Sequence, residues 1–381
     1  MDLLAIPGTL LGFIIGIALP FLFVLMLVVF VHELGHYLVG RWCGIRALAF
    51  SVGFGKELIG YTDRNGTRWK LCAIPLGGYV RYLGDLNVAS QPAGQEALAR
   101  MRPEDRAQSF PAAPLWKRAA AVAAGPVFNF IFAIAIFATV FMIFGRERVD
   151  PVITEVTAAS AADEAGFEVG DKLIAADGRE IVSFADLQRY VQPRGDRAIV
   201  FTVERDGRPI DLEATPRRIE REDQFGNKFT VGLLGVRADR SEEGVTLDRF
   251  GPVGAVSLAV RETGFVIART AGYIADVVTL REKPDQIGGP IRVAKISGDV
   301  ATLGFTALLN LAAVLSISIG LLNLLPIPIL DGGHLLFYAF EAVLGRPLSP
   351  ATQEFSFRIG LFLILSLMVF ATWNDLSMLI G

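Results

Sequence analysis

Residues 3–31 carry no formal charge, and this apolar run leads directly into His32-Glu33-Leu34-Gly35-His36. The run exceeds the roughly 20 residues that cross a bilayer as a helix. Lipid offers no partner to a backbone polar group, so such a segment is held to helical geometry. Two of the chain's three histidines therefore fall at membrane depth. On a helix, positions i and i+4 share a face, so His32 and His36 can reach one Zn²⁺ while Glu33, beside His32, can take a proton from water that the metal activates. By chance, three fixed positions of these types recur in roughly one chain in a hundred of this length. The membrane setting is what gives the pattern weight, because ionisable side chains are costly there and mark function.

A hydrophobic content of 52% and a mean hydropathy of +0.47 exceed those of ordinary soluble domains. Residues 119–145 and 300–330 are also uncharged and long enough to span, and residues 359–374 reach full length by drawing on 355–357 or 376–380. The expected fold class is a polytopic α-helical membrane protein with four transmembrane helices. The first run is too long for a signal-peptide core and has neither a basic leader nor a small-residue cleavage site, so it is expected to stay in the mature chain. A net charge of -3, with acidic and basic residues interspersed, argues against nucleic acid as a partner and against a polybasic lipid anchor. Cys43 and Cys72 form neither a CxxC pair nor a disulfide framework and read as free thiols.

Basic residues near the span ends set an expected orientation. Arg41, Arg46, Lys117 and Arg118 lie between the first two spans and Arg346 and Arg358 between the last two, whereas the terminal stubs hold only Asp2 and Asp375. The positive-inside rule makes both loops cytoplasmic and turns residues 146–299 outward, with HELGH near the cytoplasmic end of its span. Arg146, Arg148, Arg292 and Lys295 pull the other way, the first two beside Glu147 and Asp150.

The other half of the site is expected near the end of the third span, in Asn323-Leu-Leu-Pro326-Ile-Pro328-Ile-Leu-Asp331-Gly332-Gly333-His334. Pro326 and Pro328 lack backbone donors and break the helix, which membrane depth tolerates only where protein or a polar cavity surrounds the chain. A catalytic zinc keeps three protein ligands and one open position. Asp331 and His334 are both local candidates for the third.

HELGH in the first span, Gly125-Pro126-Val127-Phe128-Asn129 in the second and NLLPIPILDGGH in the third together resemble the site-2 protease family of intramembrane zinc metalloproteases, in its bacterial RseP-type branch. The resemblance implies Zn²⁺ as cofactor, His32, His36 and Asp331 as its ligands, Glu33 as catalytic base, and His334 as a neighbour of the site. It also implies that Asn323, Pro326 and Pro328 hold substrate near the metal. The implied activity is cleavage of transmembrane segments of single-span proteins, such as anti-sigma factors or signal-peptide remnants, in a bacterial inner membrane. A membrane-anchored PDZ adaptor with a structural metal is the alternative, but a structural zinc has no need of Glu33 or of an open position. A transporter would show internal repeats or paired broken helices, which the sequence lacks.

Between the first two spans, residues 47–52, 57–61 and 68–74 read as short strands, with Arg64-Asn65-Gly66 as a hairpin turn and Gly53-Phe54-Gly55 and Gly77-Gly78-Tyr79-Val80 as further turns. By resemblance this is a membrane-associated β-structure that presents an extended substrate strand, which puts Gly53, Phe54 and Gly55 among the substrate contacts. Residues 91–108 read as a mobile cytoplasmic loop. The outward segment begins as an α+β domain, with strands at 152–156 and 199–204, a third at 209–214 paired across Asp206-Gly207, and a helix at 183–192. Its turns at 162–166, Val169-Gly170-Asp171 and Ala176-Asp177-Gly178 resemble those of bacterial PDZ domains, which take an extended peptide or C-terminus along a strand edge. One such set is present, where the RseP-type branch is known for two.

The expected organisation is thus a first span (1–40), a cytoplasmic loop (41–118), a second span (119–145), a PDZ-like domain (146–222), a segment with an amphipathic helix at 253–280 (223–299), a third span with its motif (300–345), and a final loop and fourth span (346–381). Gly288-Gly289-Pro290-Ile291 reads as a tight turn ahead of the third span.

Overall fold

Uncharged apolar sequence forms helix over most of its length in this protein, and the places where it does not are those that build the site. The computed structural model describes residues 12, 14–85, 101–222, 228–239, 244–279, 284 and 288–380. Most of the loop expected at 91–108 lies outside the described residues. The chain divides into two units, one of residues 1–139, 255–283 and 287–381, the other of residues 140–254 and 284–286.

The first unit is helical. After a π-helical turn at Ile14–Ala18 come α1 (Leu19–Trp42), α2 (Leu115–Ile143, with Pro126 inside), α3 (Pro252–Val278), α4 (Pro290–Thr302), α5 (Phe305–Asn323), α6 (Asp331–Leu344) and α7 (Pro350–Ile380). Among the described residues, four stretches are long and apolar enough to cross a membrane: Ile14–Trp42, Leu115–Ile143, Phe305–Asn323 and Pro350–Ser377. Helix α1 does not stop where its apolar run stops. It carries HELGH in its interior and ends only at Trp42. The run at 300–330, continuous in hydropathy, is three pieces in space, because Gly304 takes a φ of +106° between α4 and α5 and the two prolines interrupt the chain between α5 and α6.

The short strands expected after α1 form one long antiparallel hairpin, β1 (Ala47–Thr62) with β2 (Arg68–Tyr82). Gly53 and Gly55 are not at its turn. With φ of +87° and +84° they sit where the register slips and fold the hairpin over, so that Phe50 has two partners, Val80 and Trp69. The turn is organised by Asp63, whose Oδ1 accepts the Asn65 and Thr67 backbone N–H groups at 2.9 Å each. Its Oδ2 accepts the Tyr37 hydroxyl and the Trp69 indole N–H at 3.1 Å each. Tyr37 lies on α1, so the turn is fastened to the helix that carries HELGH. Burial opposes ionisation of Asp63, but these four donors outweigh it and hold the carboxyl at about 2. At the far end of β2 the Tyr82 hydroxyl donates to the His36 carbonyl at 2.6 Å.

The second unit contains β3 (Arg146–Val149) paired with β12 (Val245–Asp248), β4 (Ile153–Val156) with β11 (Val236–Ala238), and β9 (Arg217–Glu222) with β10 (Lys228–Leu233). Its main sheet has the order β6-β5-β7-β8, formed by β5 (Lys172–Ala176), β6 (Arg179–Glu180), β7 (Ile199–Arg205) and β8 (Arg208–Ala214). The β7–β8 turn is Asp206-Gly207, both at positive φ, the conformation that makes Asp-Gly a hairpin signal. A helix at Phe184–Val191 starts with a capping box between Ser183 and Asp186. Ile153, Leu173, Phe201 and Val203, all fully buried, centre the core.

Candidate metal centre

Helical periodicity brings His32 and His36 together on α1, with their Nε2 atoms 3.2 Å apart. The N-terminus of α6 presents Asp331 to both: its Oδ2 lies 3.2 Å from His32 Nε2 and 3.5 Å from His36 Nε2. A tetrahedral ion with bonds of about 2.0–2.1 Å needs donors about 3.3 Å apart, and the three separations cluster around that value. Asp331 Oδ2 is buried and makes no directed hydrogen bond despite its two nitrogen neighbours. An oxygen set among nitrogens without hydrogen-bond geometry is the arrangement that shared ligation of one ion calls for. The donor set, two imidazoles and a carboxylate, suits zinc.

The sequence left Asp331 and His334 open as the third donor, and the structure separates them. Among the described residues His32, His36 and Asp331 form the group able to hold an ion. The His334 ring instead packs against Phe337 and Phe357, while still lining the cavity over the site.

Close approach of the chain makes this possible. A Cβ on Gly125 of α2 would stand 2.3 Å from His36 Nε2, so only glycine lets the second span reach the histidines. Four residues earlier, the Ala121 carbonyl accepts from His36 Nδ1 at 2.9 Å, which leaves the Nε2 lone pair free for an ion. Gly332 and Gly333 are needed because the Leu324 and Ile327 carbonyls fold back onto the start of α6. Farther along α6, Glu341 takes a two-point ion pair from Arg118 of α2 at 2.6 and 3.2 Å. None of these supports was read from the sequence: Gly125 stood in a motif without a role, and no local pattern links residues 118 and 341.

A cavity of about 490 Å³ opens over the three donors and Glu33. Phe54 and Asn323, expected to meet substrate, are in its wall, as are Gly78, Tyr79 and Ile329. Gly53, Gly55, Pro326 and Pro328 are not. Ile329 takes a φ of +93°, strain of about 1–3 kcal/mol in a β-branched residue two positions before Asp331. Glu33 lines the cavity with the three donors and lies against β2, where a Cβ on Gly78 would stand 2.9 Å from Glu33 Cγ.

A HExxH helix that crosses a membrane and meets a distant aspartate defines a membrane-embedded zinc metalloendopeptidase. The chain belongs to peptidase family M50, whose sequence pattern matches residues 20–367. It is similar to an Agrobacterium fabrum protein named "Putative zinc metalloprotease", 56% identical over 370 residues that cover 97% of this chain and 98% of that one. Metalloprotease MmpA of Caulobacter vibrioides is 43% identical across 96% of both chains. A Rickettsia conorii protein with the same zinc metalloprotease name is 35% identical over 94% of this chain and 97% of its own.

Proposed function

We propose that this enzyme cuts transmembrane segments of single-span proteins, with His32, His36 and Asp331 holding zinc and Glu33 as the base. The observation that carries the reading is the triangle of three donor atoms, 3.2–3.5 Å on a side, among helices of membrane-spanning length. When bound, zinc polarises a scissile carbonyl and makes water more acidic. Glu33 takes the water's proton and returns it to the departing amide nitrogen. A helical peptide bond is shielded by its own turns, so the substrate must unwind and enter as an extended strand.

Among the described residues the β2 segment at Gly78–Tyr82 pairs along one edge alone, with Ala47–Val52, and Gly78, Tyr79, Val80 and Tyr82 line the cavity together with Glu33. A substrate strand added along that edge passes the base, with Phe54 and Asn323 touching its side chains. Gly53 and Gly55 set the fold of the hairpin, while Pro326 and Pro328 set the loop before Asp331. The basic loops argue for a bacterial inner membrane with the site toward the cytoplasm and residues 146–222 outward as a PDZ-like domain. That domain takes a peptide or C-terminus and screens substrates by their outward size. Substrates already shortened on that side, including anti-sigma factors and signal-peptide remnants, fit such a filter.

The test uses purified full-length protein in detergent with a tagged single-span substrate. Glu33→Gln is expected to abolish cleavage while keeping about one zinc per chain, Asp331→Ala to lose both, and His334→Ala to keep the metal. Substantial cleavage by Glu33→Gln would remove Glu33 as base. A site emptied by His334→Ala and not by Asp331→Ala would reassign the third ligand. A zinc-loaded wild type that binds substrate without cutting it would favour the adaptor.

A further inference from the structure

The His32 ring has a second nitrogen, and the group facing it is Asn129 of α2. Asn129 is fully buried, with Nδ2 3.2 Å from His32 Nδ1 and, among the described residues, no partner for Oδ1. As drawn, the amide donates to Nδ1, which puts the imidazole proton on Nε2, the atom turned toward His36 and Asp331. That is a consistent arrangement without an ion and an impossible one with it, since a ligating Nε2 must offer its lone pair and the proton must then sit on Nδ1. An Nδ1–H cannot face an amide NH₂. Turning the amide end for end, with no change in shape, places the orphaned Oδ1 opposite that proton.

We infer that Asn129 is a positioning residue of the metal centre: through Oδ1 it accepts from His32 Nδ1–H and fixes the tautomer and ring plane in which Nε2 binds zinc. His36 receives the same service from the Ala121 carbonyl, so each histidine is oriented by α2. A side-chain amide, unlike a carbonyl, can donate to the empty site and accept from the loaded one. Asn129 is itself held. Ser316 of α5 donates to its backbone carbonyl at 3.0 Å, and α5 runs on into the loop that delivers Asp331. Asn129 thus joins the helix bearing the two histidines to the span that leads into the loop before Asp331.

The inference rests on the zinc ligands proposed above, and the test separates the two. Full-length protein and its Asn129→Ala and Asn129→Asp forms, in detergent, compete for zinc with a chromogenic chelator, and each is loaded with Co²⁺ for its visible absorption. Asn129→Ala, which removes the amide without adding bulk to the helix interior, should bind zinc about 10–100-fold more weakly and broaden the Co²⁺ bands. Asn129→Asp, an acceptor without a donor, should bind at least as tightly as wild type. Ser316→Ala should fall between wild type and Asn129→Ala. If Asn129→Ala matches wild type in affinity and spectrum, or if a folded Asn129→Asp is as weak as Asn129→Ala, the acceptor role is wrong. If wild type itself takes up no stoichiometric zinc, the ligand assignment fails instead.

Discussion

The two units of this chain both bury apolar side chains but differ in the polar ones they bury with them. The interior of the 140–254 unit is apolar, centred on Ile153, Leu173, Phe201 and Val203, and its buried polar residues are Asp171, paired with Arg205, and Ser183, a helix cap. The helical unit buries His32, Glu33, Asn129, Ser297, Ser316 and Asp375, while Leu361, Phe362 and Val369 of α7 face outward. In water, removing a large apolar side chain from solvent drives folding. In lipid that gain vanishes, and helices associate through small residues and hydrogen bonds instead. The helical unit can therefore place ionisable groups inside because its apolar surface is already satisfied outside. Substitutions should divide the same way, with stability changing in one unit and metal chemistry in the other.

The largest expected effect comes from a single methyl group. Gly125→Ala pushes α2 away from His36, and displacement of about an ångström at a reacting centre costs about 10²-fold in rate. Cleavage of a single-span substrate should fall by that factor or more and zinc should be lost, while hydrogen exchange in peptides of the 140–254 unit stays as in wild type. Unchanged zinc affinity would mean that the helices yield at no cost and that close approach is not what shapes the site.

Leu173→Ala is the counterpart in the second unit. Truncating a fully buried leucine there should lower that unit's stability by roughly 2–5 kcal/mol. Hydrogen exchange across residues 172–176 and 199–205 should accelerate accordingly, with zinc content unchanged. Simultaneous loss of zinc would show that the two interiors are not independent.

What the sequence disclosed follows the same division. The spans, the His32–His36 pair of the candidate metal site and the strand–turn–strand of residues 199–214 were legible because each rests on local pattern: charge-free length, i/i+4 spacing, or an Asp-Gly between alternating residues; the choice between Asp331 and His334 was not. The folded-over hairpin was not, since Gly53 and Gly55 signal a turn whether the chain reverses or only slips register. Contacts that tie distant segments were also invisible. Asn129 stands in the Gly125–Asn129 motif with no role legible from the sequence, and Asp375 looks like a lone charge in a tail. In the structure Asp375 accepts the Gly289 and Arg292 backbone N–H groups at 2.9 and 3.0 Å, capping α4 from α7. The Gly-Gly-Pro-Ile turn was legible, but its partner 86 residues later was not.

That cap supplies a smaller effect. Asp375→Ala leaves one buried and one part-buried donor at the start of α4 without their partner, which should destabilise the helix by about 0.5–2 kcal/mol. Faster amide exchange at residues 290–296 is the expected readout, and Asp375→Asn should recover part of the protection because its carbonyl oxygen still accepts. Equal exchange in all three proteins would reduce Asp375 to a bystander.

Acid provides the finest probe of the comparison, because each unit holds a carboxylate below its ordinary range outside the spans, Asp63 in one and Asp171, with Asp177, in the other. For Asp171, burial works against ionisation, but the Arg205 guanidinium at 2.7 Å and the Glu168 backbone N–H at 2.9 Å outweigh it and lower the pKa. For Asp63 the four hairpin donors do the same and bring it to about 2. A carboxylate whose pKa is depressed by folding adds stability that is fully present above its unfolded value, 3.8, and is lost as pH falls through the folded value. Stability from Asp63 should therefore drain between 3.8 and about 2, and that from Asp171 should drain below 3.8. Hydrogen exchange stepped from pH 5 downward, corrected for intrinsic rates, follows both regions in one sample. Asp171→Asn should flatten the acid response of β5 and β7 alone, and Asp63→Asn that of the β1–β2 hairpin alone. If either substitution flattens both, acid opens the chain as one body, and the independence of the two interiors fails at the level where it is easiest to see.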